Sequence, residues 1–153
     1  MMDPTEPDDA NEPSASPADP TDHPRGILLS DPTELLWRQI AAAFSDQEER
    51  PTYLAFQPTK KDHEFLSTRR EKAVDAKKAY EEHQAAGMST LGTWAVSVRE
   101  ALDADVPPYD GSALPGMPHG HTSLSFAGKS RRQAASAAKI LLRAARDRGR
   151  CHP

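Results

Sequence analysis

Apolar residues in this chain fall into short periodic runs separated by polar, proline-bearing stretches. Leu36, Ile40 and Phe44 recur at four-residue spacing, with Leu35 and Trp37 beside them. Just before them, Asp31-Pro32-Thr33-Glu34 offers a capping aspartate, a proline suited to the first helical position and a glutamate placed to close a capping box. The spacing predicts a helix over about 32–45. Thr52–Phe56 reads as a short strand stopped by Pro58, Lys60 to His63 as a polar turn, and Glu64–Thr68 as a second extended piece. Residues 71–86 are rich in Ala, Glu and Lys and end at Gly87, which predicts a helix. Its apolar face is thin: Ala73, Ala76, Ala79 and Tyr80.

The second half is more regular. Over Thr93–Val98, Trp94, Val96 and Val98 point one way and Thr93, Ala95 and Ser97 the other, as in a strand. Residues 103–120 carry four prolines and three glycines and read as a long loop, a length that in a compact domain often serves function. Thr122, Leu124 and Phe126 then alternate with Ser123 and Ser125, and Gly128 ends that strand. In the last predicted helix, about 130–148, Ala134, Ala137, Ala138, Leu141 and Ala145 form one stripe and Arg132, Lys139, Arg143 and Arg146 the opposite one. The order is that of an α+β domain: a small sheet of short strands packed with about three helices. Trp37, Trp94, Phe44, Phe56, Phe65, Leu124 and Phe126 are the expected core.

Composition divides the chain further. Residues 1–25 hold six of the 14 prolines and, after Met2, no aliphatic side chain larger than alanine. A segment so poor in apolar surface does not offset about 1–2 kcal/mol of backbone entropy per residue, so an acidic disordered tail is expected there. The predicted organisation is a tail over 1–25, one domain over 26–150 and a short terminal tail over 151–153. The net charge of −4 conceals an acidic head and a basic end. Residues 1–31 set eight carboxylates against Arg25; residues 129–150 set eight cations against Asp147. Such ends attract one another or address different partners. The opening MMDPTEPDDA has no apolar h-region, and no run approaches the length of a membrane span, so neither a secretory leader nor a membrane partner is expected. The single cysteine, Cys151, excludes an internal disulfide and a cysteine-rich zinc site. A cytoplasmic protein is the expectation.

The run LLWRQIAAAF over 35–44 and the block AFQPTKKDHEFLSTRREKA over 55–73 resemble a family of short uncharacterised bacterial proteins. Its marks are an LWRQI helix start, F-x-P-x-x-K-D, Leu-Ser and a GTWAVSV-like strand. The resemblance covers roughly residues 35–150. It implies a shared fold and supplies no reaction and no catalytic residues. Relatives tend to have His-Pro after the LWRQI run, where this chain has Ala41-Ala42.

Three constellations carry candidate chemistry. Arg132, Lys139, Arg143 and Arg146 present cations at phosphate-reaching positions, as a nucleic-acid surface would, although a solvated helix face has the same pattern. His119 and His121, two apart in an extended segment, offer two metal nitrogens, but further ligands such as Asp105, Asp110 or His63 would be needed, and no metal site or other cofactor is assigned. Asp62, His63, Ser67 and Thr68, with Arg69 and Arg70, combine acid, base and hydroxyl. A G-x-S-x-G elbow is missing there. Leu66-Ser67-Thr68 ahead of the helix holding Tyr80 is similar to the strand edge of small ADP-ribosyltransferase folds, without their acidic motif.

No constellation is chemically complete. The leading expectation is therefore a small accessory or interaction protein without catalytic activity, acting on a protein partner. Two alternatives stand beside it. One is a hydrolase or transferase, ADP-ribosyltransferase-like, using the 62–70 block and the His119–His121 loop, with the loop histidines approaching Ser67 across the sheet. The other is a nucleic-acid-binding protein using the basic helix.

Overall fold

The computed structural model describes residues 22–59 and 64–153. The acidic segment 1–21, and the turn with Asp62 and His63, lie outside the described residues. The fold is α+β. Among the described residues, seven strands, β1 (Asp22–His23), β2 (Gly26–Leu28), β3 (Leu35–Gln39), β4 (Phe65–Arg70), β5 (Thr93–Ser97), β6 (Pro108–Asp110) and β7 (His121–Ser125), form one antiparallel sheet in the order β1-β2-β6-β7-β4-β3-β5. The α-helices among them are α1 (Ala76–Ala85), α2 (Val98–Asp103) and α3 (Arg131–Arg148).

The sheet has two unequal faces. On one, α2, α3 and a 3-10 turn close over Leu36, Leu66, Trp94, Val96 and Leu124, and this layer is the main core. Ala137, Ala138, Leu141 and Ala145 are the stripe that α3 buries against it, as its periodicity predicts. Ser130 caps that helix, its hydroxyl accepting from Gln133 N–H while the Gln133 side chain accepts from Ser130 N–H. On the other face α1 covers Trp37 and Ala95 with Val74 and Ala79, and beside them Phe65, Ser67, Arg69, His121 and Ser123 line a cavity.

The expected helix over 32–45 is a correction: Leu35–Gln39 is a strand, followed by a 3-10 turn over Ala42–Phe44. Four residues are both about one helical turn and two strand repeats, so Leu36 and Ile40 share a face in either structure. Leu36 and Ile40 enter the main core while Trp37 lies on the α1 side, the division a strand makes. Asp31 caps a tight turn instead, accepting from the backbone and hydroxyl of Thr33. Thr52–Phe56 is likewise not a strand. Tyr53–Phe56 is a 3-10 turn that seats Phe56 in the core, with Thr52 tied by its backbone N–H and hydroxyl to Phe44 O.

The helix expected over 71–86 begins later, where Asp75 accepts from Lys78 N–H. The supposed loop 103–120 contains β6 and follows α2, whose first residue is Val98. Ser97 and Glu100 close a capping box that starts α2 and ends β5. Phe44 and Phe65 are partly rather than fully buried. Both ends of the expected domain also extend further. Asp22–His23 pairs with β2, and Thr93 on β5 donates to His152 O and accepts from Cys151 N–H, so residues 151 and 152 lie on the outer edge of the sheet. No helix among the described residues is long and apolar enough to cross a membrane.

Candidate functional site

The open part of the α1 face forms a cavity of about 540 Å³. Its floor is set by strand register. Trp37 pairs with Arg69 and Arg69 with His121, giving one row across β3, β4 and β7; Ser67 pairs with Ser123 in the next. Neighbouring strands lie about 4.8 Å apart, so these side chains stand at roughly that interval. Alternation sends Leu66 and Leu124 to the core and leaves Phe65, Ser67, Arg69, His121 and Ser123 on the cavity side. One wall is α1, through Ala79, Glu82 and His83, continued by Ala86 and Met88; the other is the 111–120 loop, through Met117 and Pro118.

Trp37 is fixed at the foot of the α1 wall, its Nε1–H donating to Val74 O at 2.8 Å. The loop wall depends on Gly120. There φ is +78°, and an added Cβ would lie 2.4 Å from Ala73 Cβ, so only glycine lets the loop cross beside β4. Gly120 O accepts from Arg70 N–H at 2.9 Å, which registers the loop against the strand.

The charge around the cavity is lopsided. Arg25, Arg38 and Arg69 line it against the single carboxylate of Glu82 among the described residues. Arg69 is clamped, donating through Nε to His119 O at 2.8 Å and pairing through Nη2 with Glu82 at 2.8 Å. Arg38 donates to Ala55 O and Ser67 O. Arg25 lies 4.1 Å over the Phe65 ring, a cation–π contact. His121 is 9% exposed, and its Nε2 is 3.3 Å from Ser123 Oγ. Burial lowers the His121 pKa, with Arg25 and Arg69 lowering it further against a smaller opposing pull from Asp110. Burial, then Arg38, lower that of His83. Both shifts disfavour the charged imidazolium.

Ser67 and His121, two of the sequence candidates, thus line one cavity. His119 does not join them. The turn at Gly120 breaks the alternation, and His119 lines a separate hollow with Arg70, Lys72 and Asp110. His63 lies outside the described residues. No group of three His, Cys, Asp or Glu side chains placed to hold a metal occurs among the described residues. The four residues of the basic stripe, Arg132, Lys139, Arg143 and Arg146, are all exposed; Arg146 is also pinned to Pro51 O and Asp46, and Lys139 sits over the Tyr53 ring. Sequence reasoning missed Arg25, Arg38, His83 and Ser123. The alternation of Ser123 with Leu124 was the available signal for Ser123.

Comparison with protein-family models, with curated proteins and with solved structures found no match to this chain.

Proposed function

We propose that the chain binds a small organic anion with an apolar body in the cavity between α1, the sheet and the 111–120 loop. The observation that carries this reading is the combination, among the described lining residues, of three arginines and one carboxylate with an apolar lining of Trp37, Phe65, Met88 and Met117. Guanidiniums in a partly desolvated concavity attract an anionic head, and thioether and aromatic side chains take an apolar body of variable shape. Met88 and Met117 are 49% and 37% exposed at the rim, surface that a ligand would cover. A ligand-holding domain without chemistry of its own is the form of the accessory-protein expectation that this cavity supports. A cytoplasmic setting goes with it. Nucleic-acid binding by α3 is less well supported, because Lys139 and Arg146 already have partners.

The test uses 1-anilinonaphthalene-8-sulfonate, an aromatic sulfonate, on the folded protein. One molecule per chain should bind, and Ser67→Phe, which fills the floor, should weaken binding at least about tenfold while cooperative melting persists. Absence of binding, or equal binding by the variant, refutes the reading.

The hydrogen-bonded His121 and Ser123 favour a second reading, hydrolysis of an anionic ester. Ser123 Oγ would bond to the carbonyl carbon as its proton passes to His121 Nε2; the leaving alcohol would take that proton, and water would repeat the sequence to free the acid. A fluorophosphonate probe should then label Ser123. Labelling that survives Ser123→Ala, or none at all, eliminates this reading.

A further inference from the structure

We propose that the acidic segment 1–21 competes with the bound anion for this same cavity, as an occupant built into the chain. The inference rests on the anion-binding reading above. Four observations support it.

The segment contains six carboxylates, Asp3, Glu6, Asp8, Asp9, Glu12 and Asp19, and no lysine or arginine to neutralise them. Among the described residues, the cavity is lined by Arg25, Arg38 and Arg69 and by one carboxylate, Glu82. The segment also joins the fold at the right place. Thr21 leads directly into β1, and the turn between β1 and β2 carries Arg25, which lines the cavity and covers the Phe65 ring. Reach is ample, since ten extended residues span up to about 33 Å and Glu12 is ten residues ahead of Asp22. Finally, a short tether holds its carboxylates at an effective concentration in the millimolar range, so weak charge contacts suffice to compete with a free anion. The exposed cations of α3 are the rival destination for the segment, and the experiment separates the two.

The test compares the full chain with a full-length variant whose six carboxylates are replaced by Asn and Gln. At an ionic strength of about 0.01 M the neutralised variant should bind 1-anilinonaphthalene-8-sulfonate several-fold more tightly than the parent. At about 1 M, where screening acts within about 3 Å, the difference should vanish. Equal affinities at low salt overturn the proposal and leave the cavity reading intact. No binding by either protein overturns the cavity reading itself. A spin label at Ala10→Cys, in a Cys151→Ser background, locates the segment. Broadening of Met117 and His121 resonances is the expected result; broadening confined to Arg132 and Arg143 overturns it.

Discussion

Replacing Glu34 with glutamine should destabilise the domain by about 2–4 kcal/mol. Glu34 is 2% exposed, and its carboxylate is fully used. Oε1 accepts from Arg70 Nη2 at 2.8 Å, and Oε2 accepts from Arg70 Nε at 2.9 Å and from Lys72 N–H at 2.9 Å. Arg70 in turn donates to Asp110 Oδ2 at 2.7 Å, so the trio ties the start of β3 to the ends of β4 and β6. Breaking a buried pair from one side costs about 3–5 kcal/mol. The figure is reduced here because Arg70 keeps Asp110 and its side chain is 22% exposed to water. Urea denaturation at pH 7 measures the loss, and a change below about 1 kcal/mol would refute the account. The pH dependence gives a second check. Burial alone would raise the Glu34 pKa, but the Arg70 and Lys72 hydrogen bonds outweigh it and hold the carboxyl below its usual value. Burial is likewise outweighed at Asp110 by Ser112 and Arg70. A depressed folded pKa gives stability that is present above the unfolded values, about 4, and lost as pH falls through the folded ones. The gap between parent and Glu34→Gln should therefore narrow in acid.

The two tryptophans offer a paired test. Trp37 Nε1–H has Val74 O, whereas Trp94 Nε1 is buried without a partner among the described residues. Trp37→Phe should thus cost at least about 1 kcal/mol more than Trp94→Phe, and the opposite order in thermal or urea melts would contradict the assignment. Ser130→Ala removes an N-cap of α3 and should cost about 1 kcal/mol, while an unchanged melting temperature would show that the capping box contributes nothing. For the cavity, the depressed pKa values of His121 and His83 mean that protonation disfavours the empty fold. Stability from this source is present above the unfolded histidine value, about 6.5, and declines as pH drops through the folded values. A bound anion favours the protonated imidazoles, so affinity for the aromatic sulfonate should rise as pH falls below the unfolded histidine value, about 6.5, in step with the imidazole NMR titrations; a profile that stays flat while the imidazoles titrate would sink the idea.

The parts of the fold legible in the sequence were those where one period alone fitted. The α3 stripe of Ala137, Ala138, Leu141 and Ala145 fits no strand, and the alternation through Thr122, Ser123 and Leu124 fits no helix. Leu36 and Ile40 fitted both, and tertiary pairing of β3 with β5 over five residues decided for the strand. The start of α2 was hidden because Val98 continues the alternation of β5; Ser97 and Glu100, three apart, were the local clue. At the site, Ser67 and His121 were legible as residue types, but their meeting depends on β4–β7 register, which no local pattern states. His119 was separated from His121 by a backbone turn at Gly120 rather than by any side-chain property. Arg25 and Arg38 were overlooked because one stood in a segment read as tail and the other in a run read as helix.

Strand β4 divides its labour by parity. Leu66 lies in the core, Thr68 donates a buried hydrogen bond to Thr122 O and Arg70 holds the Glu34–Asp110 network, while Phe65, Ser67 and Arg69 face the cavity. A saturation scan along this strand should consequently yield two interleaved phenotypes. Substitutions at even positions lower the amount of folded protein, and those at odd positions change what the folded protein holds. Ligand preference can then drift through Ser67 and its neighbours with little loss of folded protein. A selection for new ligands in the laboratory should accumulate changes at every second residue.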